Sequence, residues 1–286
     1  MCESRPHAPA CRRARRTHPL CSSAAALLLQ LECPLPTVLH AIRDAAAASG
    51  VEMLFSASKI AGELERVFFI RTGIVDDLIT IARQMNARGW VMKIEDGYRS
   101  LEMQRQLVRK PAVFDAIVQK CLWENGGQLP PIETIFRRAT CLVANIPKIG
   151  THMSGSAVDI SVFRRDDGSE VWRGNEYLHM SERAPMRSPF VEPDALHNRM
   201  AITAMMELHG FVHYTYEFWH YNKGDALGAI QSHQRAPARY GAVHWDRAAN
   251  KVTAVDDPCA LLNPLDVIEK EVAAAMERAG VRAGTV

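Results

Sequence analysis

The sequence has no Cys-x-x-Cys pair and no excess of either charge. Its seven cysteines are odd in number and four of them fall in the first 33 residues. Neither a disulfide framework nor a thiolate zinc site is therefore expected, and a reducing, cytoplasmic setting fits better. With 34 basic against 32 acidic residues, the net charge of +2 favours no nucleic acid or other polyanion as a partner. No apolar run is long enough to span a membrane.

The first 33 residues have a composition of their own. Four arginines cluster between residues 12 and 16, and the apolar stretch 24–29 follows them. This order resembles the start of an export signal, but Gln30 and Glu32 interrupt the apolar stretch and no clear small-x-small cleavage site follows. We therefore predict a disordered or leader segment over residues 1–33 and a cytoplasmic protein. Export to the periplasm is the alternative if the segment is a signal.

Helical and extended patterns divide the rest of the chain. Segments 35–50, 75–89, 103–107, 113–123, 194–210 and 264–279 are typical of helices, whereas 67–71, 90–94, 157–163 and 211–216 are typical of strands and 240–255 of a hairpin. Helices come first and the strands with polar motifs come later, which favours an α+β fold over a parallel α/β sheet. At 286 residues and 48% hydrophobic content, we predict one domain over 34–232 and a C-terminal extension, hairpin plus helix, over 233–286.

Two short motifs together form a candidate metal site. His152 and Asp159 lie seven positions apart, and Glu217 and His220 lie three apart. Two histidines and one carboxylate, with a fourth position left to water, are a ligand set of catalytic zinc, and the remaining Glu217 suits a proton acceptor. Each motif alone has a plainer explanation, a packed histidine and a solvated carboxylate. On an ideal strand Glu217 and His220 would point to opposite faces, so a turn near Phe218 is required.

Four other histidines and one arginine are further candidates for this site. Four other histidines are expected to be surface or packing residues rather than ligands: His179, His197, His209 and His213. Arg99 follows the Asp96-Gly97 turn. Either it is a solvated turn residue, or its guanidinium lies near the metal and stabilises the oxyanion that develops during hydrolysis.

The order of these motifs resembles a known family. Residues 96–99 (Asp-Gly-Tyr-Arg), the His152/Asp159 pair, Asn198-Arg199, Gly210-Phe211 and the motif 217–220 follow one another as in the D-alanyl-D-alanine dipeptidases, the VanX-like branch of the zinc D,D-peptidases. The resemblance covers about residues 90–225. It implies that His152, Asp159 and His220 hold Zn²⁺, that Glu217 is the general base and that Arg99 stabilises the oxyanion. It also implies a small antiparallel sheet flanked by helices, the fold of the Hedgehog and D,D-peptidase group.

Two segments depart from the family's pattern. Phe218 stands where a tryptophan is common. Segment 172–177 only loosely resembles the stretch in which such dipeptidases place an acid to hold the substrate ammonium, and Glu176 is the candidate for that role.

The resemblance predicts zinc-dependent hydrolysis of D-Ala-D-Ala or a related small D,D-dipeptide. Zinc would lower the pKa of its bound water toward ~7, and Glu217 would accept the proton as this water attacks. One alternative is a D,D- or L,D-carboxypeptidase or endopeptidase that acts on peptidoglycan stem peptides through the same chemistry. Another is a non-catalytic, zinc-stabilised binding module, although a structural zinc site has no need of a base such as Glu217.

Overall fold

The computed structural model describes residues 38–233 and 237–280. The predicted leader over residues 1–33 lies outside the described residues. None of the helices in these ranges is long and apolar enough to cross a membrane.

Most strands of the described residues join one central sheet. The strands are β1 (Leu39–Ala41), β2 (Met53–Phe55), β3 (Phe69–Arg71), β4 (Trp90–Asp96), β5 (Ala157–Arg164), β6 (Val212–His213), β7 (His220–Asn222), β8 (Val243–Asp246) and β9 (Lys251–Ala254). The central sheet has the order β2-β4-β5-β7-β6, while β1 pairs with β3 and β8 with β9. Its pairs are antiparallel except at one edge, where β2 runs parallel to β4.

The described residues also form nine α-helices. They are α1 (Ile42–Ala48), α2 (Val75–Ala87), α3 (Leu101–Arg109), α4 (Pro111–Glu124), α5 (Ile132–Leu142), α6 (Thr151–Ser154), α7 (Pro193–Leu208), α8 (Ala226–Gln231) and α9 (Leu265–Arg278). Short 3-10 turns at Thr72–Ile74 and Pro147–Ile149 lie before α2 and α6. The predicted α+β class is confirmed, with the parallel β2–β4 pair as an addition to the antiparallel sheet.

The main hydrophobic core explains which face of the sheet is free for function. Val158, Ile160 and Val162 of β5 are fully buried in a cluster with side chains of α1, α2 and α7. Successive side chains of a strand point to opposite faces, so Asp159 and Ser161 face away from this cluster. The strand predicted over 157–163 is therefore present as β5, and its alternation leaves one polar face for the site.

A second hydrophobic cluster joins four helices. Phe114 of α4, Ile135 of α5 and Val272 of α9 are buried in it, together with residues of α3. Helix α9 belongs to the predicted C-terminal extension, yet it packs on helices of the predicted domain 34–232. The division of the chain at about residue 233 stays a prediction.

Two predicted elements are shorter than their sequence patterns indicate. In the segment 35–50, Leu39–Ala41 form β1, which pairs with β3, and α1 begins only at Ile42. Helix propensity is a weak preference that strand pairing readily outweighs. The strand predicted over 211–216 is reduced to Val212–His213, because the chain turns directly afterwards.

Candidate metal centre

Three elements carry the side chains of the predicted metal site. His152 lies in α6, directly after Gly150 and Thr151, whereas Asp159 lies in β5 and His220 is the first residue of β7. The antiparallel register of β5 and β7 places Asp159 directly opposite His220. Because residues paired across two strands have neighbouring side chains on one face, this register brings the carboxylate and the imidazole together.

The three side chains converge in a buried position. Asp159 Oδ1 lies 3.0 Å from His220 Nδ1 and 3.3 Å from His152 Nε2. One ligand atom from each residue lies within 4.8 Å of the others, and all three residues are buried. The structure thus brings together the three residues that the sequence predicts as metal ligands.

The second nitrogen of each imidazole has its own partner. His152 Nδ1 lies 2.6 Å from the carbonyl oxygen of Gly97, which can only accept, so Nδ1 carries the proton and Nε2 offers a lone pair. His220 Nε2 shares a hydrogen bond of 2.9 Å with Thr151 Oγ1, which leaves Nδ1 toward Asp159. Hydrogen bonds of this kind orient metal-ligating histidines in proteins.

The pKa values of the three residues differ in direction. Burial, assisted by the charge of Arg99, lowers the pKa of His152 and keeps its imidazole neutral. Although burial acts to raise it, the pKa of Asp159 lies well below its usual range because the adjacent imidazoles of His152 and His220 favour its carboxylate form. The pKa of His220 is raised: burial acts to lower it, but the hydrogen bond and charge of Asp159 outweigh burial. Metal ligands must be unprotonated, so an ion bound here would displace a proton from His220. Two imidazole nitrogens with one carboxylate oxygen then form a suitable donor set. The residues present therefore fit a metal ion that prefers nitrogen and oxygen ligands.

Gly97 is required by close backbone packing beside the site. A Cβ atom at this position would lie 2.7 Å from the carbonyl oxygen of Val67 and 3.0 Å from that of Phe69. Any side chain at position 97 would therefore displace the carbonyl group that accepts the hydrogen bond from His152. This contact explains the glycine in the Asp-Gly-Tyr-Arg motif.

Arg99 is buried rather than solvated. Its Nε donates a hydrogen bond of 2.6 Å to Asp96 Oδ2, and its Nη2 lies 3.4 Å from Asp159 Oδ2. Burial acts to lower the pKa of Arg99, but the two carboxylates outweigh it and raise that pKa. The alternative of a solvated turn residue does not hold, because the guanidinium is buried and pairs with two carboxylates.

Glu217 lies in the turn that precedes β7. The amide of His220 donates to the carbonyl oxygen of Glu217 over 3.2 Å, so the chain reverses at Phe218 and Trp219, where the sequence requires a turn. Glu217 lines the same cavity as His152, Asp159 and His220, although it does not belong to the group of mutually close ligand atoms. Burial raises the pKa of Glu217 to about 7. A carboxyl group with such a pKa can both accept and release a proton near neutrality.

All five predicted site residues line one cavity. Its volume is about 580 Å³, within the range of small-molecule sites. The Leu178-His179-Met180 segment forms part of its wall.

The family of the chain follows from its match to known proteins. The family model for M15 peptidases, described as D-ala-D-ala dipeptidase, matches residues 72–240, more than half of the chain. The chain belongs to this family. The matched range includes Arg99, His152, Asp159, Glu217 and His220. The predicted family, and with it an enzyme of the peptidase class, is confirmed.

Individual relatives carry the same description. A D-alanyl-D-alanine dipeptidase of Synechocystis sp. is 31% identical over 201 residues, which cover 63% of this chain and 79% of that protein. One from Enterococcus faecium is 34% identical over 71 residues, 25% of this chain and 35% of that protein, so this chain matches about a third of that relative's length. The solved zinc complex of a mutant of the vancomycin resistance D,D-pentapeptidase VanY shares 18% identity over 62% of this chain and 86% of the other, with a TM-score of 0.36. A similarity of that size supports no conclusion.

Tyr177 contacts a candidate metal ligand, although none of the sequence motifs of this M15 family member includes it. Its hydroxyl donates a hydrogen bond of 3.0 Å to Asp159 Oδ2. The neighbouring Glu176, the candidate for the substrate ammonium, is exposed and is not among the residues that line the cavity. In segment 172–177 it is therefore Tyr177, and not Glu176, that contacts a candidate metal ligand.

The Asn198-Arg199 motif holds the long segment between β5 and α7. Arg199 is fully buried, and its guanidinium donates to the carbonyl oxygens of Arg173, Arg183 and Pro185 over 2.6 to 2.8 Å. Its guanidinium carbon also lies 4.1 Å from the ring centroid of Phe218. Phe218 is therefore a buried side chain that packs against Arg199.

The other histidines have separate environments. His209 shares a hydrogen bond with Gln84 and His213 with Glu207, while His197 is exposed. His179 lines the cavity and is hydrogen-bonded to Asn175. In the part of the chain that the structure describes, none of them joins the candidate metal group.

Proposed function

We propose that the protein is a zinc-dependent peptidase that hydrolyses D-Ala-D-Ala or a closely related D,D-dipeptide. One observation carries the proposal: His152, Asp159 and His220 converge at the wall of a cavity that Glu217 and Arg99 also line. A purely structural metal site has no need of an additional carboxyl group such as that of Glu217, or of a cavity beside the ligands.

The ligand set and the chemistry of zinc agree. His152, Asp159 and His220 would hold the ion, which when bound acts as a Lewis acid and lowers the pKa of water. Gly97 and Thr151 fix the two imidazoles from behind through their hydrogen bonds. These outer contacts keep the donor atoms directed at one point.

Glu217 would move the proton during the reaction. Its carboxylate accepts a proton from the attacking water while the water oxygen bonds to the peptide carbonyl carbon. The same carboxyl group then gives that proton to the amine nitrogen as the C–N bond breaks. Two free amino acids leave and Glu217 returns to its starting state.

Arg99 would stabilise the negative charge that develops on the carbonyl oxygen. Its hydrogen bond to Asp96 fixes the side chain before the substrate arrives. A prearranged donor of this kind needs no reorganisation when charge appears in the transition state.

The proposal is tested with purified, zinc-loaded protein, assayed on D-Ala-D-Ala and on a stem pentapeptide. We expect hydrolysis of the dipeptide and about one zinc per chain. His220→Ala should lose both zinc and activity, whereas His197→Ala, at an exposed histidine outside the site, should keep both. Cleavage of the pentapeptide alone would favour the carboxypeptidase alternative. Full zinc content without hydrolysis of either peptide would favour a binding module.

A further inference from the structure

The cavity of the metal centre extends well beyond the five site residues. Part of its wall is apolar and consists of Ala61, Leu107, Ala112, Val113, Ala116 and Ile117, which we call the apolar extension. A cavity of about 580 Å³ is large enough for ligands of drug size. D-Ala-D-Ala carries only two methyl groups as side chains, so it has too little apolar surface to cover this wall.

Small side chains keep the apolar extension open. Ala112 and Ala116 are four residues apart in α4, so they lie side by side on one face of the helix, and both are exposed. Ile117 of the same helix is buried in the hydrophobic cluster that α4 shares with α3, α5 and α9. The wall is therefore backed by packed helices, while its surface offers room and apolar contact.

Two cations of the cavity wall share one carboxylate partner. Arg138 and Lys120 line the cavity, but Arg138 forms an ion pair with Glu124 and Lys120 lies 3.8 Å from the same carboxylate. Among the described residues, the carboxylates of the wall are Asp159 and Glu217, which belong to the proposed site. The six side chains of the apolar extension have no polar groups, so binding between them comes from the burial of apolar surface.

We infer that the apolar extension binds a large apolar side chain of the substrate. The preferred substrates are then D,D-dipeptides in which one residue has a side chain such as that of leucine, rather than D-Ala-D-Ala. This inference rests on the proposed function. Even one methylene in a hydrophobic pocket typically changes kcat/KM by roughly 10- to 200-fold.

The substrate preference is measured as kcat/KM of the zinc-loaded chain on D-Ala-D-Ala, D-Leu-D-Ala and D-Ala-D-Leu. We expect at least one leucyl dipeptide to exceed D-Ala-D-Ala by about tenfold or more. Ala116→Phe, which fills the extension, should lower this ratio by about tenfold or more. Glu269→Phe places the same ring on an exposed position of α9 outside the cavity and should leave the ratio unchanged. A ratio below one, or one that Ala116→Phe does not lower, would overturn the inference.

Cys141 provides a second readout that does not depend on turnover. It is a free, exposed cysteine in the cavity wall. In zinc-loaded Glu217→Gln protein, the preferred leucyl dipeptide should slow alkylation of Cys141 by iodoacetamide more than D-Ala-D-Ala does, as followed by mass spectrometry of its peptide. Protection without hydrolysis of any D,D-dipeptide by the wild type would refute the proposed function. Hydrolysis of D-Ala-D-Ala with neither preference nor protection would refute the apolar extension alone.

Discussion

The hydroxyl of Tyr177 donates a hydrogen bond of 3.0 Å to Oδ2 of Asp159, while Oδ1 of the same carboxylate faces His152 and His220. Burial, and next the charge of Asp159, raise the pKa of Tyr177 well above its usual range, so the hydroxyl keeps its proton and remains a donor. Arg66 Nη1 lies 3.3 Å from the same hydroxyl and holds it from the other side. One oxygen of Asp159 is thus fixed by the protein and the other is free to bind a metal.

We therefore expect Tyr177→Phe to weaken zinc binding by about 10- to 100-fold, the usual effect of removing a hydrogen bond behind a ligand. The measurement is a zinc titration against a competing chelator, with the thermal unfolding midpoint as a check on the fold. At saturating zinc much of kcat should return, because Tyr177 orients a ligand and does not touch the reacting atoms. Tyr216→Phe, at an exposed tyrosine, is the matched control. Equal zinc affinity in both variants would show that the Tyr177 hydroxyl has no role in the site.

Glu217→Gln separates the base from the ligands. The amide has nearly the same shape as the carboxyl group but cannot accept the proton, so kcat should fall by at least ~10²-fold. Zinc content should stay at the wild-type level, because Glu217 lies outside the group of close ligand atoms. Glu176→Gln changes an exposed carboxylate outside the cavity wall and should alter neither quantity. If the Glu217 variant lost its zinc, Glu217 would be a ligand and the proposed division of roles would be wrong.

The placement of the metal ligands is predictable because it depends on local rules. Alternation along segment 157–163 turns Asp159 away from the core, and the spacing of Glu217 and His220 requires a turn between them. The β5–β7 register adds what the sequence does not contain, since the pairing of Asp159 with His220 joins residues 61 positions apart. The sequence predicts that the two motifs form one site through the family resemblance, and not through periodicity.

Other features depend on contacts that have no local pattern. Tyr177 lies in a segment without regular structure. Arg199 anchors that segment at Arg173, and Arg66 contacts the Tyr177 hydroxyl where it meets Asp159. Strand β1 exists because β3 pairs with it, against the helical preference of its sequence. The spacing of Ile135 and Ala139, four positions apart and both buried, is typical of a helix such as α5. That α5 lies beside the cavity depends on its packing against α4 and α9, which the spacing does not predict.

Deletion of residues 1–33 should leave zinc content, hydrolysis and the thermal unfolding midpoint unchanged. The described site and its supporting elements all lie after residue 37. Deletion through residue 41 should in contrast destabilise the protein, because it removes β1 and with it Leu39, which is fully buried beside Tyr98 and Val243. Loss of a buried leucine side chain alone typically costs about 2–5 kcal/mol. If the chain without residues 1–33 failed to fold, the prediction of a leader would be wrong, because these residues would contribute to the core. The cytoplasmic or exported location of the protein would then need another test.

Arg99 is the residue whose role the kinetics can define most sharply. If its guanidinium stabilises the oxyanion, Arg99→Ala should lower kcat by roughly 10²–10³, as removal of one such donor does. Arg99→Lys should restore only part of this loss, since an ammonium group supplies the charge but not the planar pair of donors that reaches both Asp96 and the substrate.

The same substitution leaves the buried carboxylates of Asp96 and Asp159 without their shared partner, so the unfolding midpoint and zinc content must be measured beside the rates. Arg105→Ala, which removes a guanidinium paired with Glu102 on the exposed face of α3, is the control and should change none of these values. A raised KM with unchanged kcat would mean that Arg99 binds the ground state and the transition state equally. A loss of rate that disappears once zinc is saturating would assign Arg99 to the support of Asp159, and the oxyanion role would then be rejected.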